Sequence, residues 1–154
     1  MKTICLYYSR TNMTKKAIET LAEILDADVF EYTDGKKRDG VLGYIVACFD
    51  SLRRQLPNVI IKGDPDFSAY DRVIIGMPLW AEGPCVVGRT LIKQYSDVFP
   101  EDVYYVVTHM ANNDYMKKIK GLDKILGRPS QGQISIRTKD NDYIRDIKTV
   151  AKSL

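Results

Sequence analysis

The sequence predicts a doubly wound α/β fold, in which one five-stranded parallel sheet in the strand order 2-1-3-4-5 carries helices on both faces. Short apolar segments alternate with amphipathic ones along the 154 residues. The segment from Arg72 to Met77 is almost continuously apolar, which is typical of a central strand covered on both faces. Because no linker, repeat or low-complexity tract interrupts the alternation, we expect residues 1–154 to form a single domain.

The beginning of the chain has the pattern of a βαβ unit. Thr3 to Tyr8 is apolar, aromatic or β-branched, which predicts a buried strand. Ser9 to Thr14 is rich in residues that begin helices, and apolar side chains then recur with helical spacing from Ala17 to Leu25. Asp28 to Tyr32 predicts a second strand. We therefore expect these two strands to be parallel.

The same alternation continues to the end of the chain. An exposed loop at Asp34 to Gly40 precedes a second helix, which we expect Pro57 to end, and Pro78 should end the strand that begins at Arg72. The apolar positions of the second helix are Ile45, Cys48 or Phe49, Leu52 and Leu56. The other predicted elements are an extended connector at Val59 to Ile61, a helix with Val87, Leu91, Ile92 and Tyr95, a strand at Val103 to Thr108, a helix with Met116, Ile119, Leu122 and Leu126, an edge strand at Gln133 to Arg137 and a last helix at Tyr143 to Leu154.

Composition excludes several classes of protein. Hydrophobic residues make up 45% of the chain and charged residues 28%, which excludes a disordered tail or a coiled-coil rod. The longest apolar stretch, Val41 to Phe49, is far shorter than the roughly 18 to 20 residues that span a bilayer. The apolar segment before Ser9 is too short for the core of a signal peptide. We therefore expect a cytoplasmic protein without a membrane span.

Residue types also argue against metal and nucleic-acid sites. The three cysteines form no Cys-x-x-Cys pair and His109 is the only histidine, so we predict no metal site and reduced thiols. The net charge is only +3, and the basic pairs are scattered along the chain. Scattered pairs favour solvated surfaces over a nucleic-acid interface.

Topology indicates where a ligand would bind. Doubly wound sheets bind ligands beyond the carboxyl ends of their strands, where the winding reverses. In the order 2-1-3-4-5, this point lies between the first and third strands. The loops to consider are Ser9 to Thr14, Pro78 to Pro84 and His109 to Asp114.

The first of these loops has the composition of an anion site. Ser9, Thr11 and Thr14 precede or begin a helix, whose free amides attract anions, and their hydroxyls can donate further hydrogen bonds. The loop has neither the lysine of a Walker A motif nor a dinucleotide-binding glycine fingerprint, which favours a phosphate monoester. The alternative is that Thr11 or Asn12 is only a helix cap.

The second loop contains the only tryptophan, Trp80, between Pro78 and Pro84. Two prolines and Gly83 stiffen this loop and allow its backbone to approach a flat ligand. Beside an anion site, Trp80 is typical of a groove for an aromatic ring that carries a phosphate. The alternative is that Trp80 only covers the edge of the core.

The segment Ile4 to Leu25, with its Ser-x-Thr-x-x-Thr loop, and the segment Tyr70 to Trp80 resemble the flavodoxin family. The resemblance implies a flavodoxin-like fold that binds FMN at the switch point, a placement already recorded for flavodoxin itself. It implies that the phosphate contacts Ser9, Arg10, Thr11, Asn12, Met13 and Thr14. It also implies that the ring lies against Pro78, Leu79, Trp80, Ala81 and Gly83, with the loop of His109 on the other side.

The chain departs from the family pattern at two points. Asn12-Met13 stands where the family has Gly-Asn, although asparagine also tolerates a left-handed backbone. The loop from Thr108 to Asp114 lacks the glycines often found there. His109 either donates to the flavin edge or bonds to its own backbone, and Cys85 is either a reactive thiol at a helix start or a packing residue.

The resemblance implies an electron-transfer protein in which the flavin performs the redox chemistry, so we predict no catalytic residue. We expect a reductase or acceptor protein as its partner, acidic because this chain is basic, and a monomer or weak dimer. One alternative is a flavodoxin-fold module that has lost FMN and serves as an interaction partner. Another is a small NAD(P)H-dependent quinone reductase.

Overall fold

The computed structural model describes residues 1–52, 57–81, 83–139, 142–152 and 154. Strands and helices alternate along most of the chain, as the sequence predicts. In chain order they are β1 (Thr3–Tyr7), α1 (Met13–Leu25), β2 (Asp28–Thr33), α2 (Gly40–Leu52), β3 (Ile60–Ile61), β4 (Arg72–Trp80), β5 (Gly83–Pro84), α3 (Val86–Tyr95), β6 (Asp102–His109), α4 (Met116–Lys120), α5 (Asp123–Leu126), β7 (Gly132–Arg137) and α6 (Tyr143–Ala151).

The main sheet is parallel. Its five parallel strands lie in the order β2-β1-β4-β6-β7, which is the 2-1-3-4-5 order expected from the sequence. Two short antiparallel strands extend it, β3 beside β2 and β5 beside β4. The α/β class is confirmed, but the described sheet has these two additional strands and is not purely parallel.

Helices cover both faces of the sheet, as predicted. Successive side chains of a strand point to opposite faces. Cys5 and Tyr7 of β1 therefore belong to the core beneath α1 and α6, whereas Ile4 and Leu6 belong to the core beneath α3, α4 and α5. Burial of each large aliphatic side chain in these cores contributes about 1.5–3 kcal/mol.

Helix α2 presents the opposite face from the one predicted. Its buried positions are Gly43, Ala47 and Asp50, whereas Ile45, Phe49 and Leu52 are exposed and Leu56 lies outside the described residues. A side chain on Gly43 would collide with the backbone of Arg38, and Asp50 bonds to the Arg38 guanidinium. Close backbone packing and a buried ion pair therefore decide which face turns inward.

Strand β4 does not end at Pro78 but continues to Trp80. Backbone groups two residues apart in a strand point to the same neighbour. Gly76 accepts from Tyr8 N on the β1 side, so Pro78 points to this side just beyond the end of β1. The missing N–H of Pro78 therefore lies where the pairing with β1 ends, and the Pro78 carbonyl accepts a hydrogen bond from Cys85 N.

The predicted helix between Met116 and Leu126 forms as two short helices, α4 and α5, separated at Gly121. Ile119, Leu122 and Leu126 are buried as the spacing predicts. No helix within the described ranges is both long and apolar enough to cross a bilayer.

Candidate functional site

A cavity of about 390 Å³ lies at the carboxyl ends of β4 and β6 and beside the start of α1. This volume is within the range of about 300–1,000 Å³ that is usual for ligand pockets. Its walls come from all three loops that topology indicates, together with four other residues: one of α2, one near the end of β6, one directly before α4 and one that follows β7. The lining residues are Arg10, Thr11, Met13, Thr14, Tyr44, Pro78, Leu79, Trp80, Ala81, Thr108, His109, Met110, Ala111, Asn113, Tyr115 and Thr138.

The N-terminus of α1 adjoins this cavity without a side-chain cap. Asn12 has a left-handed backbone with φ 64°, and its carbonyl accepts from Lys16 N. Its side chain makes no capping hydrogen bond. Asn12 is therefore a cap by position only, and the amides of the first turn stay available to an anion at the positive end of the helix.

Ser9 supplies a second unsatisfied donor in the same loop. Its Oγ is buried and has no hydrogen-bond partner among the described residues. A buried hydroxyl without a partner costs about 1–3 kcal/mol. An acceptor oxygen of a ligand would remove this cost, so the loop has the donor chemistry that a phosphate requires.

Thr14 and Thr108 form one polar pair between α1 and β6. Their Oγ1 atoms lie 2.7 Å apart and the pair is buried. Each hydroxyl has a single proton, so one of the two protons lies in this bond and the other stays free. Both residues line the cavity, and together they offer a ligand one donor rather than two.

Trp80 is 3% exposed, and it is also one of the residues that line the cavity. The ring packs edge-on against Tyr8, with centroids 5.6 Å apart, and the Arg38 guanidinium carbon lies 5.2 Å from its centroid. Trp80 therefore both covers the edge of the core and faces the cavity, so the two interpretations of its role are compatible.

His109 lines the cavity, but both ring nitrogens already have partners. Nδ1 lies 2.9 Å from the carbonyl oxygen of Ala111 and Nε2 lies 2.8 Å from Ser135 Oγ. Because a carbonyl only accepts, Nδ1 carries the proton, and in the neutral ring Nε2 accepts from Ser135. This arrangement favours the backbone-bonded interpretation of His109, and a role toward a flavin stays a prediction.

The other predicted residues occupy different positions around the cavity. Arg10 lies with its guanidinium carbon 5.4 Å from the Tyr44 ring centroid. Ala81 lines the cavity with a strained positive φ of 43°. Ser9, Asn12 and Gly83 are next to lining residues in the chain but do not line the cavity themselves.

Several lining residues were not predicted. Met110, Ala111 and Asn113 belong to a loop that topology indicates, and Thr108 and Thr138 mark the ends of neighbouring parallel strands, a signal that the strand-end rule supplies. Tyr44 and Tyr115 had no such signal. Whether Tyr44 lines the cavity depends on which face of α2 turns outward.

No protein-family model matches the chain, and no curated protein does. Solved structures do. A flavoprotein from Lactobacillus acidophilus NCFM in complex with FMN superposes with a TM-score of 0.71 at 24% identity, covering 94% of this chain and 96% of that one. The apo form of the flavoprotein from the same organism gives 0.65 at 21% identity, with 92% and 93% covered. Oxidised flavodoxin 2 from Bacillus cereus gives 0.60 at 13% identity, with 99% and 97% covered.

The fold is flavodoxin-like. At these identities the likeness establishes the arrangement of the elements, and it agrees with the parallel strand order and with the position of the cavity. Among the described residues of this flavodoxin-like chain, no group of three or more His, Cys, Asp or Glu is placed to hold a metal ion.

A buried ionic cluster supports the tryptophan side of the flavodoxin-like cleft. Arg38 donates hydrogen bonds to Asp34, Asp50 and the hydroxyl of Tyr8. Burial opposes ionisation of Asp34, but hydrogen bonds from Arg38 and its charge outweigh burial and lower the pKa of this carboxyl. Burial likewise opposes the Arg38 charge, yet its two carboxylate partners raise the pKa of the guanidinium. Asp34 and Arg38 are therefore both charged at neutral pH.

In this flavodoxin-like domain, Cys85 is part of the buried core and caps the start of helix α3. The thiol is completely buried, and its Sγ accepts from Gly88 N at the start of α3. Burial raises the pKa of Cys85 to about 12. A thiol with this pKa is not a reactive thiolate at neutral pH, so the packing interpretation is the one that the structure supports.

Proposed function

We propose that this chain binds FMN without a covalent bond in the cavity and serves as a cytoplasmic electron-transfer protein. The observation that carries the proposal is a set of unsatisfied donors beside an aromatic-lined cavity at the switch point. These donors are the uncapped amides of α1 and the buried Ser9 hydroxyl. They match a dianionic phosphate, and the cavity beside them offers apolar walls for a ring.

The residues present fit the two ends of FMN. The first loop, with Ser9, Arg10, Thr11 and the amides at the start of α1, would hold the phosphate. Pro78, Leu79, Trp80 and Ala81 would form one wall of the ring site, with Tyr44 and Tyr115 at other parts of the cavity. When bound, FMN supplies one- and two-electron redox chemistry. The chain's own contribution is to orient the ring and to exclude water. The Lactobacillus acidophilus flavoprotein, crystallised with FMN, supports this proposal.

Comparison of FMN with riboflavin tests the phosphate part of the proposal. Loss of one hydrogen bond to a charged phosphate costs about 1.5–3 kcal/mol, which is roughly a ten- to a hundredfold loss of affinity. We expect Thr11→Val and Ser9→Ala each to lower the affinity for FMN by this factor. The affinity for riboflavin should stay nearly unchanged. Quenching of Trp80 emission measures both affinities, because Trp80 is the only tryptophan.

Thr20→Val is the matched control. Thr20 lies on the exposed side of α1, where its hydroxyl bonds to the Lys16 carbonyl. This variant should bind both ligands as the wild type does. Equal affinity of the wild type for FMN and riboflavin would refute the phosphate assignment.

The second candidate function is a flavodoxin-fold interaction module without FMN. Met13 favours it, since this bulky side chain lines the cavity next to the phosphate loop. Gel filtration after incubation with FMN separates the two functions. Flavin absorbance that elutes with the protein supports the electron-transfer protein, and a colourless protein at micromolar concentration supports the module.

A further inference from the structure

Helix α2 exposes a continuous apolar surface. Val41, Leu42 and Leu52 are each more than three-quarters exposed and Phe49 is 63% exposed. Three further large side chains of the same helix are about half exposed: Tyr44, Ile45 and Val46. We refer to these seven side chains as the α2 surface. Soluble monomers rarely expose apolar patches larger than a few hundred Å².

The opposite side of α2 is already fixed to the domain, so rotation of the helix cannot bury the α2 surface. Gly43 lies so close to the Arg38 backbone that even a methyl group would collide there. Ala47 is completely buried, and Asp50 is paired with Arg38. Rotation would break this ion pair between two buried groups, which strongly opposes it.

The α2 surface carries no charge. Asp50 is the only acidic or basic residue between Gly40 and Leu52, and it is on the buried side. A transient redox partner is usually attracted by complementary charge, and anionic membranes attract helices that carry lysine or arginine. None of the seven side chains is charged, and the one described cation against them is Arg10, whose guanidinium carbon lies 5.4 Å from the Tyr44 ring centroid at one margin of the surface. Its chemistry fits another uncharged apolar surface.

The exposed area is enough for a standard-size contact between two proteins. The seven side chains together expose on the order of 800 Å², which is what each partner contributes to a standard interface. A second copy of the same surface is complementary by composition, because all seven side chains are uncharged and mostly apolar. We propose that α2 packs against α2 of a second copy of this chain, in a twofold dimer.

The dimer would affect the candidate site through one residue. Tyr44 belongs to the α2 surface and also lines the cavity, so the helix of the second copy would lie next to the cavity. The dimer itself does not depend on FMN, and its test needs no flavin.

Sedimentation velocity over a range of micromolar concentrations tests the proposal. We expect the wild type to sediment with twice the 17.6 kDa mass of the chain. Leu42→Asp/Phe49→Asp should sediment as a folded monomer, with an unchanged circular dichroism spectrum. Val41→Glu, at the solvent-facing start of α2, is a milder second variant, and we expect it to weaken the dimer at least tenfold.

Val98→Asp is the matched control, because Val98 is 56% exposed but lies after α3, outside the α2 surface. This variant should remain a dimer. A wild type that is monomeric at all these concentrations would overturn the proposal, whether or not it binds lipid vesicles or another protein. A dimer that persists in the double variant and in Val41→Glu would overturn it as well. Failure to bind FMN would leave these results unchanged and would count only against the proposed function.

Discussion

Arg38 connects the candidate site to the stability of the domain. Its guanidinium binds two carboxylates and lies over the ring of Trp80. Loss of Asp34 would leave the buried guanidinium with Asp50 and Tyr8 as partners. One missing partner of a buried ion pair costs about 3–5 kcal/mol, and we expect the lower end because Asp50 remains.

We predict that Asp34→Asn destabilises the protein at pH 7 and that this deficit shrinks in acid. The folded-state pKa of Asp34 lies below its ordinary value of 3.8, so its ionised form stabilises the fold. This contribution is complete above about pH 4 and is lost as the pH falls through the lower folded-state pKa. Urea unfolding at pH 7 and at pH 3 measures the effect.

Asp97→Asn is the control for this pH series, since Asp97 is exposed in the turn after α3. It should unfold like the wild type at both pH values. A deficit in Asp34→Asn that is the same at pH 7 and at pH 3 would contradict the ion-pair explanation.

At the scale of elements, the position of the first loop depends on how closely α1 packs on β4. Gly76 permits this approach, because a Cβ there would collide with the side chain of Ile18. We predict that Gly76→Ala costs about 1–3 kcal/mol of stability, since an extra methyl group overpacks the contact. It should also weaken FMN binding, because α1 carries the loop proposed to hold the phosphate.

A double-mutant cycle with Ile18→Ala checks this prediction. Without the Ile18 side chain the added methyl group has space, so Gly76→Ala should cost less in that background. Thermal unfolding of the four proteins gives the coupling energy. Strictly additive effects would show that the contact between Gly76 and Ile18 does not limit the packing of α1.

The elements differ in how far the sequence predicts them. Strands β1, β4 and β6 are buried on both faces, so their apolar composition marks them without knowledge of their neighbours. The inward face of α2 depends instead on Gly43, Ala47 and Asp50, which a hydropathy pattern does not count as core. Only their contacts with Arg38 identify Gly43 and Asp50 as inward-facing. For the same reason, the hydropathy pattern did not predict that Tyr44 lines the cavity. The three loops, in contrast, were predicted from topology alone.

At the scale of the whole molecule, the net charge of +3 helps to distinguish an electron-transfer protein that docks on partner proteins, here called a carrier, from an NAD(P)H-dependent quinone reductase. A carrier with this charge suits acidic partners, whose association slows as salt screens the attraction. We predict that NADH and NADPH alone reduce the FMN-loaded protein only slowly. Reduction through a separate reductase should be rapid and should slow steeply with salt.

Stopped-flow absorbance of the flavin distinguishes the two cases. Free FMN mixed with the same nucleotides is the control for direct chemistry in solution. Rapid bleaching by either nucleotide alone, followed by turnover with a quinone, would establish the reductase and would contradict the carrier.

Pro78 has a consequence for where the chain leaves the sheet. In a regular parallel ladder, the amide at this position would donate to the carbonyl of Tyr8 and would extend the pairing of β1 by one step. Proline has no hydrogen to donate, so this step is absent. The chain is thereby released directly after Tyr8, and the next residues are free to curve toward the cavity. The pairing of β1 with β4 therefore has its last ladder bond between Tyr8 N and the Gly76 carbonyl.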